Sequence, residues 1–251
     1  MTRTIGIISG KGGVGKTTIA ANLGAALAHR FDKEVTVVDC NLTASHLSLL
    51  LGMEYYPVTL NQVLRNEKHI SEAIYEHPSG MKVIPASLQL KDLIKTDVSK
   101  LDTHLKKLEG KTDIIFLDSS PGLGKEAYAT IKASEEIIFV TKPDILSLSD
   151  VIRSKEFIDS IKKKQMGIVV NMATGGGHEV TKKEIEIMTG LSVIATIPHD
   201  KNIPISLAQK MPVVIHKPDS ASSKEIRKLA GFVIGEKELG MWDKLIRFLK
   251  T

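Results

Sequence analysis

Short, continuous runs of aliphatic and β-branched residues recur along the chain, and stretches of helical spacing separate them. Thr4–Ser9, Glu34–Asp39, Met81–Pro85, Asp113–Asp118, Glu136–Thr141, Met166–Asn171 and Ser192–Ile197 read as strands. Most of these runs do not alternate apolar with polar residues, so both faces of each strand are expected to be covered, as in a largely parallel sheet. Helical patterns fit Thr17–His29, Val98–Glu109, Lys125–Ala133, Ser147–Lys163, Lys182–Thr189 and Ser223–Ile234. Two of them begin with the Ser/Thr-x-x-Glu pattern of a capping box, Thr181 with Glu184 and Ser222 with Glu225. Strands alternating with helices predict an α/β fold: a doubly wound, mostly parallel sheet of about seven to eight strands with helices on both faces. A ligand is then expected at the carboxyl ends of the strands. The pattern runs through residues 1–234 as one domain. A polar linker, 235–239, separates it from a last amphipathic helix, 240–251.

Composition adds limits. The 251 residues are 42% hydrophobic and 25% charged, ordinary globular usage that argues against a mainly disordered chain. The net charge of +5 suits an anionic partner, with nucleotide, lipid headgroup and nucleic acid all open. A single cysteine, Cys40, rules out a disulfide or a Cys-pair cluster site within one chain and suits a reducing cytosol. The opening residues lead straight into a strand pattern and a glycine-rich loop, unlike a signal peptide. No apolar run reaches the ~18–20 residues of a membrane span. None of the eight histidines forms an i, i+4 pair in a predicted helix, so a histidine metal site is not expected.

The chemistry concentrates at Gly10-Lys11-Gly12-Gly13-Val14-Gly15-Lys16-Thr17, between the first strand and the first helix. This spacing is that of a phosphate-binding loop. Glycines let backbone N–H groups curl around a phosphate, and the helix N-terminus adds positive potential. Lys16 is placed to reach β- and γ-phosphates, and the Thr17 hydroxyl to ligate Mg²⁺.

The longer string from Lys11 through Thr18 resembles the deviant phosphate loop of the MinD/ParA group of ATPases. In that group the additional lysine, Lys11 here, reaches across a dimer to the partner's nucleotide. The resemblance therefore implies ATP and Mg²⁺ as ligands and a homodimer in the ATP state. It extends to Asp39-Cys40-Asn41, aligned with the first switch, where Asp39 supports Mg²⁺ and position 41 orients the attacking water. The family usually has a second aspartate there. Asn41 can accept a hydrogen bond from water but cannot take its proton. Asp113–Asp118, followed by Ser119-Ser120-Pro121-Gly122, resembles the Walker B strand and second switch, with Asp118 near the metal. Asn171, Pro198 and Asp200 resemble the adenine-side segments, although Met172 stands where an arginine is common.

The last residues give a clean helical wheel. Met241, Trp242, Leu245, Ile246, Phe248 and Leu249 occupy an arc of roughly 160°, with Asp243, Lys244, Arg247 and Lys250 on the other side. A helix of about 16 Å is too short to span a bilayer, but it suits an anionic membrane surface. The only tryptophan lies in it. MinD proteins end in a short helix of this kind, so the resemblance implies a slow ATPase on the cytoplasmic face of the cell membrane, taking part in spatial positioning with an activating or cargo protein partner. Two alternatives stand beside it: a ParA-type partition ATPase that binds DNA nonspecifically, and an ATP-bound membrane scaffold whose Asn41 leaves turnover negligible.

Overall fold

The computed structural model describes residues 2–236. Met1, most of the expected linker and the whole of the expected helix 240–251 lie outside the described residues.

Among the described residues, eight strands form one sheet: β1 (Arg3–Ile8), β2 (Val35–Asp39), β3 (Tyr75–Glu76), β4 (Lys82–Ile84), β5 (Ile114–Asp118), β6 (Glu136–Thr141), β7 (Lys164–Ala173) and β8 (Val193–Pro198). Their spatial order is β3-β4-β2-β5-β1-β6-β7-β8. β3 runs antiparallel to β4, and the other pairs are parallel. Among the described residues, five helices have eight residues or more: α1 (Lys16–Phe31), α2 (Lys125–Ala133), α3 (Ile145–Ser160), α4 (Lys182–Thr189) and α5 (Ala221–Ile234).

The continuous apolar runs are accounted for by burial on both faces. From β1, Ile5 and Ile7 join a core with α1 and α5, whereas Ile8 faces the opposite layer. From β5, Ile114 and Phe116 go to the first side, and Ile115 and Leu117 to the second. Each such side chain is almost wholly buried, a contribution of about 1.5–3 kcal/mol relative to exposure. β1 lies between β5 and β6, where the connections diverge to the two halves of the sheet. That crevice, at the carboxyl ends, is where an open α/β sheet holds its ligand.

Several boundaries differ from the sequence expectation. The helix expected over Val98–Glu109 is three short pieces, with 3₁₀ turns at Val98–Lys100 and Lys106–Leu108 around a single α turn. Leu101, Leu105 and Leu108 are buried nonetheless, so the apolar spacing survives the change of helix type. α3 begins at Ile145 because Asp144 caps it, accepting from the Ser147 N–H at 2.8 Å, and it ends at Ser160, before Lys162 turns left-handed. The capping box expected at Ser222 and Glu225 does not form. Ser220 caps α5 instead, accepting from the Ser223 N–H at 3.2 Å, while the Ser222 hydroxyl donates to Asp200. The Lys162–Lys164 run is engaged in part: Lys163 donates to the carbonyls of Lys132 and Ser134 at the end of α2, and Lys164 pairs with Glu136.

Candidate functional site

The glycine-rich loop leaves β1 at Ser9 and enters α1 at Lys16. The Ser9 hydroxyl donates to the Lys11 carbonyl at 2.7 Å, and the Ser9 carbonyl accepts from the Gly122 N–H at 2.9 Å, which ties the loop to the segment after β5. Two glycines are sterically required. A Cβ on Gly10 would lie 2.2 Å from Asp150 Cβ and 2.6 Å from its backbone, so α3 packs directly on the loop. Gly15 has φ of 92°, and a Cβ there would lie 2.3 Å from the Asn171 amide nitrogen. Only glycine satisfies both demands at that position.

Lys16 is 7% exposed and sits near two buried carboxylates, Asp39 and Asp118. Burial pulls the ammonium below its ordinary range, and the two carboxylates oppose that shift. Asp39 and Asp118 end adjacent strands β2 and β5 and are paired in register. Burial raises both carboxyls; Asp39 raises Asp118 further, while Thr17 and Lys16 lower it. Asp39 is held by its own loop, accepting from the N–H groups of Asn41 and Leu47 at 3.0 and 3.2 Å and from the Ser45 hydroxyl at 2.7 Å. Thr17 is close enough to Asp118 to lower it, yet the Asp118 Oδ1 is buried without a protein partner.

The donor set fits a divalent cation and a polyphosphate. A buried carboxylate oxygen with no partner, a second carboxylate beside it and the Thr17 hydroxyl are hard oxygen ligands of the type Mg²⁺ takes. The loop glycines leave no side chain where phosphate oxygens would approach. Asn171 is also incompletely satisfied: Nδ2 donates to the Val14 carbonyl at 2.8 Å, and Oδ1 is buried without a partner.

Lys11 is half-exposed and extends to the cap of α3, with Nζ 3.4 Å from Asp144 Oδ1. Asn41 is half-buried in the loop that follows β2, and its amide donates to the Ala44 carbonyl at 2.6 Å. Gly12, Gly13 and Val14 complete the loop, and Thr18 lies in the first turn of α1. Pro198 ends β8, and the His199 N–H donates to Ala173, which brings the ends of β7 and β8 together. Asp200 is wholly engaged by protein, accepting from the backbone and side chains of both Asn202 and Ser222. Sequence reasoning missed Ser45 and Asp144. The Asp-x-x-Ser start of α3 was available as a capping signal for the latter.

A family model described as ParA, NUBPL iron-transfer P-loop NTPase, matches residues 1–234. The chain belongs to the ParA family of P-loop NTPases. Its resemblance to the MinD branch extends over nearly its whole length. The septum site-determining protein MinD of Thermotoga maritima is 29% identical over 94% of this chain and 89% of its own. An uncharacterised ATP-binding protein of Methanocaldococcus jannaschii is 37% identical, over 94% of this chain and 89% of its own. Among solved structures, MinD of Pyrococcus horikoshii complexed with Mg-ADP is 33% identical with a TM-score of 0.89, covering 93% of this chain and 96% of that one. The chain's single cysteine, Cys40, is buried.

Proposed function

We propose that this chain is a MinD-like ATPase that binds Mg·ATP, dimerises through it and attaches reversibly to an anionic membrane on the cytoplasmic side. The observation that carries this reading is the phosphate loop with Lys16 set beside two in-register buried carboxylates, one with an unpartnered oxygen. Mg²⁺ held by Thr17, Asp39 and Asp118 would neutralise charge on the phosphates. Lys16 supplies a second positive charge, and its partial desolvation strengthens its pull on an anion. Asn171 Oδ1 is free to accept from an adenine amino group, with the segment Pro198–Asp200 beside it.

Asn41 orients the attacking water through its amide oxygen. It removes no proton, which a largely dissociative phosphoryl transfer tolerates at low rate. Lys11 acts on the nucleotide of a second copy, so dimerisation and turnover are linked. Residues 240–251 insert their apolar face, and each basic residue near anionic lipid contributes ~1 kcal/mol. Ordering the helix opposes this by about 1 kcal/mol or more per residue, leaving a single copy marginally bound. Two copies in an ATP dimer gain through effective concentration, by about 10²-fold or more. ATP state thereby sets membrane attachment, the basis for positioning a division site or another structure with a protein partner.

Co-sedimentation with anionic vesicles in ATP, ADP or no nucleotide tests this reading, with a chain ending at Leu239 as control. Pelleting with ATP that weakens in ADP and vanishes on truncation is expected. Indifference to vesicles in every state would sink the membrane part. An ATP-dependent, salt-sensitive shift of duplex DNA would instead favour the partition alternative. Asn41 specifically favours one second reading, a scaffold with negligible turnover, and robust phosphate release by the unaltered chain removes it.

A further inference from the structure

The loop from Asn41 to Leu47 is anchored at both ends to the Asp39 carboxylate, through the N–H groups of Asn41 and Leu47 and the Ser45 hydroxyl. Its middle, Thr43 and Ala44, is exposed. From that middle the Thr43 hydroxyl donates to Glu126 Oε1 at 2.6 Å. Glu126 lies in the first turn of α2, where no side chain caps the helix and a carboxylate is favoured by the exposed N–H groups. α2 follows the Ser119–Gly124 loop that leaves Asp118. The Thr43–Glu126 bond therefore spans the two loops that leave adjacent strands β2 and β5 at the candidate site.

We propose that Glu126 is a positioning residue for ATP hydrolysis: by holding Thr43 it fixes the loop that carries Asn41, and so the water Asn41 orients. This rests on the ATPase reading above. A residue at 41 that cannot accept a proton contributes through geometry alone, and a displacement of about 1 Å at such a site is worth about 10²-fold in rate. The loop's other anchors hold Asp39, and the Asn41 amide donates to the Ala44 carbonyl at 2.6 Å, so a shift of the exposed middle carries Asn41 with it. Glu126 hydrogen-bonds to Thr43 and, through its carbonyl, to Thr130, and to no residue assigned to the phosphates or the metal, so its loss lowers turnover and spares nucleotide affinity.

The test measures phosphate release and binding of a fluorescent ATP analogue on the full chain with E126A, T43V, T43S and the double variant T43V/E126A. Expected are a fall in kcat of about tenfold in E126A and in T43V, the scale of one hydrogen bond to a charged group. Analogue affinity and Tm stay near those of the unaltered chain, T43S restores most of the rate, and the double variant is no worse than either single one. Unchanged kcat in E126A, or additive losses in the double variant, would overturn the proposal. Parallel losses of affinity and Tm would reassign the bond to simple stability. If the unaltered chain binds the analogue but releases no phosphate, the ATPase reading itself fails and the positioning role falls with it. Turnover in the unaltered chain with unaffected variants removes only Glu126.

Discussion

Asp39 and Asp118 stand opposite one another in register at the carboxyl ends of β2 and β5, both almost fully buried, with Lys16 the neighbouring cation. Two carboxylates and one ammonium leave the cluster one negative charge in excess when all are ionised. Burial makes that charge unfavourable, and the second carboxylate adds to it at Asp118. In the proposed ATPase a divalent cation would relieve this arrangement; without one the buried pair only weakens the fold.

Stability of the metal-free protein should carry the signature of that pair. Burial pushes Asp39 up to about 6 and Asp118 up to about 7. A carboxyl with its folded pKa raised holds its proton in the folded state after the unfolded chain has lost it. The stability it contributes is thus present at low pH and lost as pH rises from about 4 toward 7. In nucleotide- and Mg²⁺-free buffer, D118N should be more stable than the unaltered chain at pH 7.5, by roughly 1–3 kcal/mol, and the difference should vanish near pH 4. Denaturant unfolding at several pH values measures it. A D118N variant less stable at pH 7.5 would contradict the charge argument.

Gly15 and Asn171 should be inseparable. The left-handed φ at Gly15 and the 2.3 Å approach of a Cβ to the Asn171 amide make G15A unfavourable on two counts. Expected is a loss of about 2–4 kcal/mol by denaturant unfolding, from backbone strain plus overpacking. N171A removes the clash but also the bond to the Val14 carbonyl. G15A/N171A should therefore recover part of the loss while nucleotide binding stays weak. Full additivity of the two substitutions would show that the close approach carries no energy.

The sheet was legible in advance because parallel strands buried on both faces write continuous apolar runs, and seven of the eight strands have them. β3 has only Tyr75 and Glu76, too short for any period to register. Helices with strong boundary signals, Lys125–Ala133 and Lys182–Thr189, match residue for residue. At Ser222 the local pattern misled, because the competing acceptor Asp200, far away in sequence, takes its hydroxyl. The phosphate loop was readable since its chemistry is contiguous. The partners of Lys11, Thr43 and Asn171 were not, because each bond joins segments separated by 83 or more residues.

Lys11 is held within the chain by Asp144, at 3.4 Å, with both side chains more than a third exposed. Such a pair contributes about 0–1 kcal/mol. For Lys11 to serve a second copy this bond must open, so it opposes dimerisation weakly. D144N keeps a good helix cap on α3 while removing the charge. It should tighten the ATP-dependent dimer by up to about fivefold, an effect that shrinks in high salt, whereas K11A should abolish the dimer. Analytical ultracentrifugation across ATP-loaded protein concentrations reads both. A weaker dimer in D144N would mean that the carboxylate helps the interface.

Asp200 should act on stability in the opposite sense to Asp118. Burial works against its charge, but the N–H groups of Asn202 and Ser222 and the side chains of the same residues overcome it and hold the carboxyl at about 2. These bonds join the end of β8 to the start of α5, whose inner face packs on α1. A carboxyl depressed in the folded state contributes stability above the unfolded value near 4 and loses it as pH falls toward 2. D200A should therefore unfold more easily at pH 7 by about 1–3 kcal/mol, since partly buried donors are left without their acceptor. Urea unfolding at pH 7 and at pH 2.5 should show that deficit shrinking in acid as the unaltered chain loses its advantage. A deficit of the same size at both values would mean that packing, rather than the charged acceptor, is what Asp200 supplies.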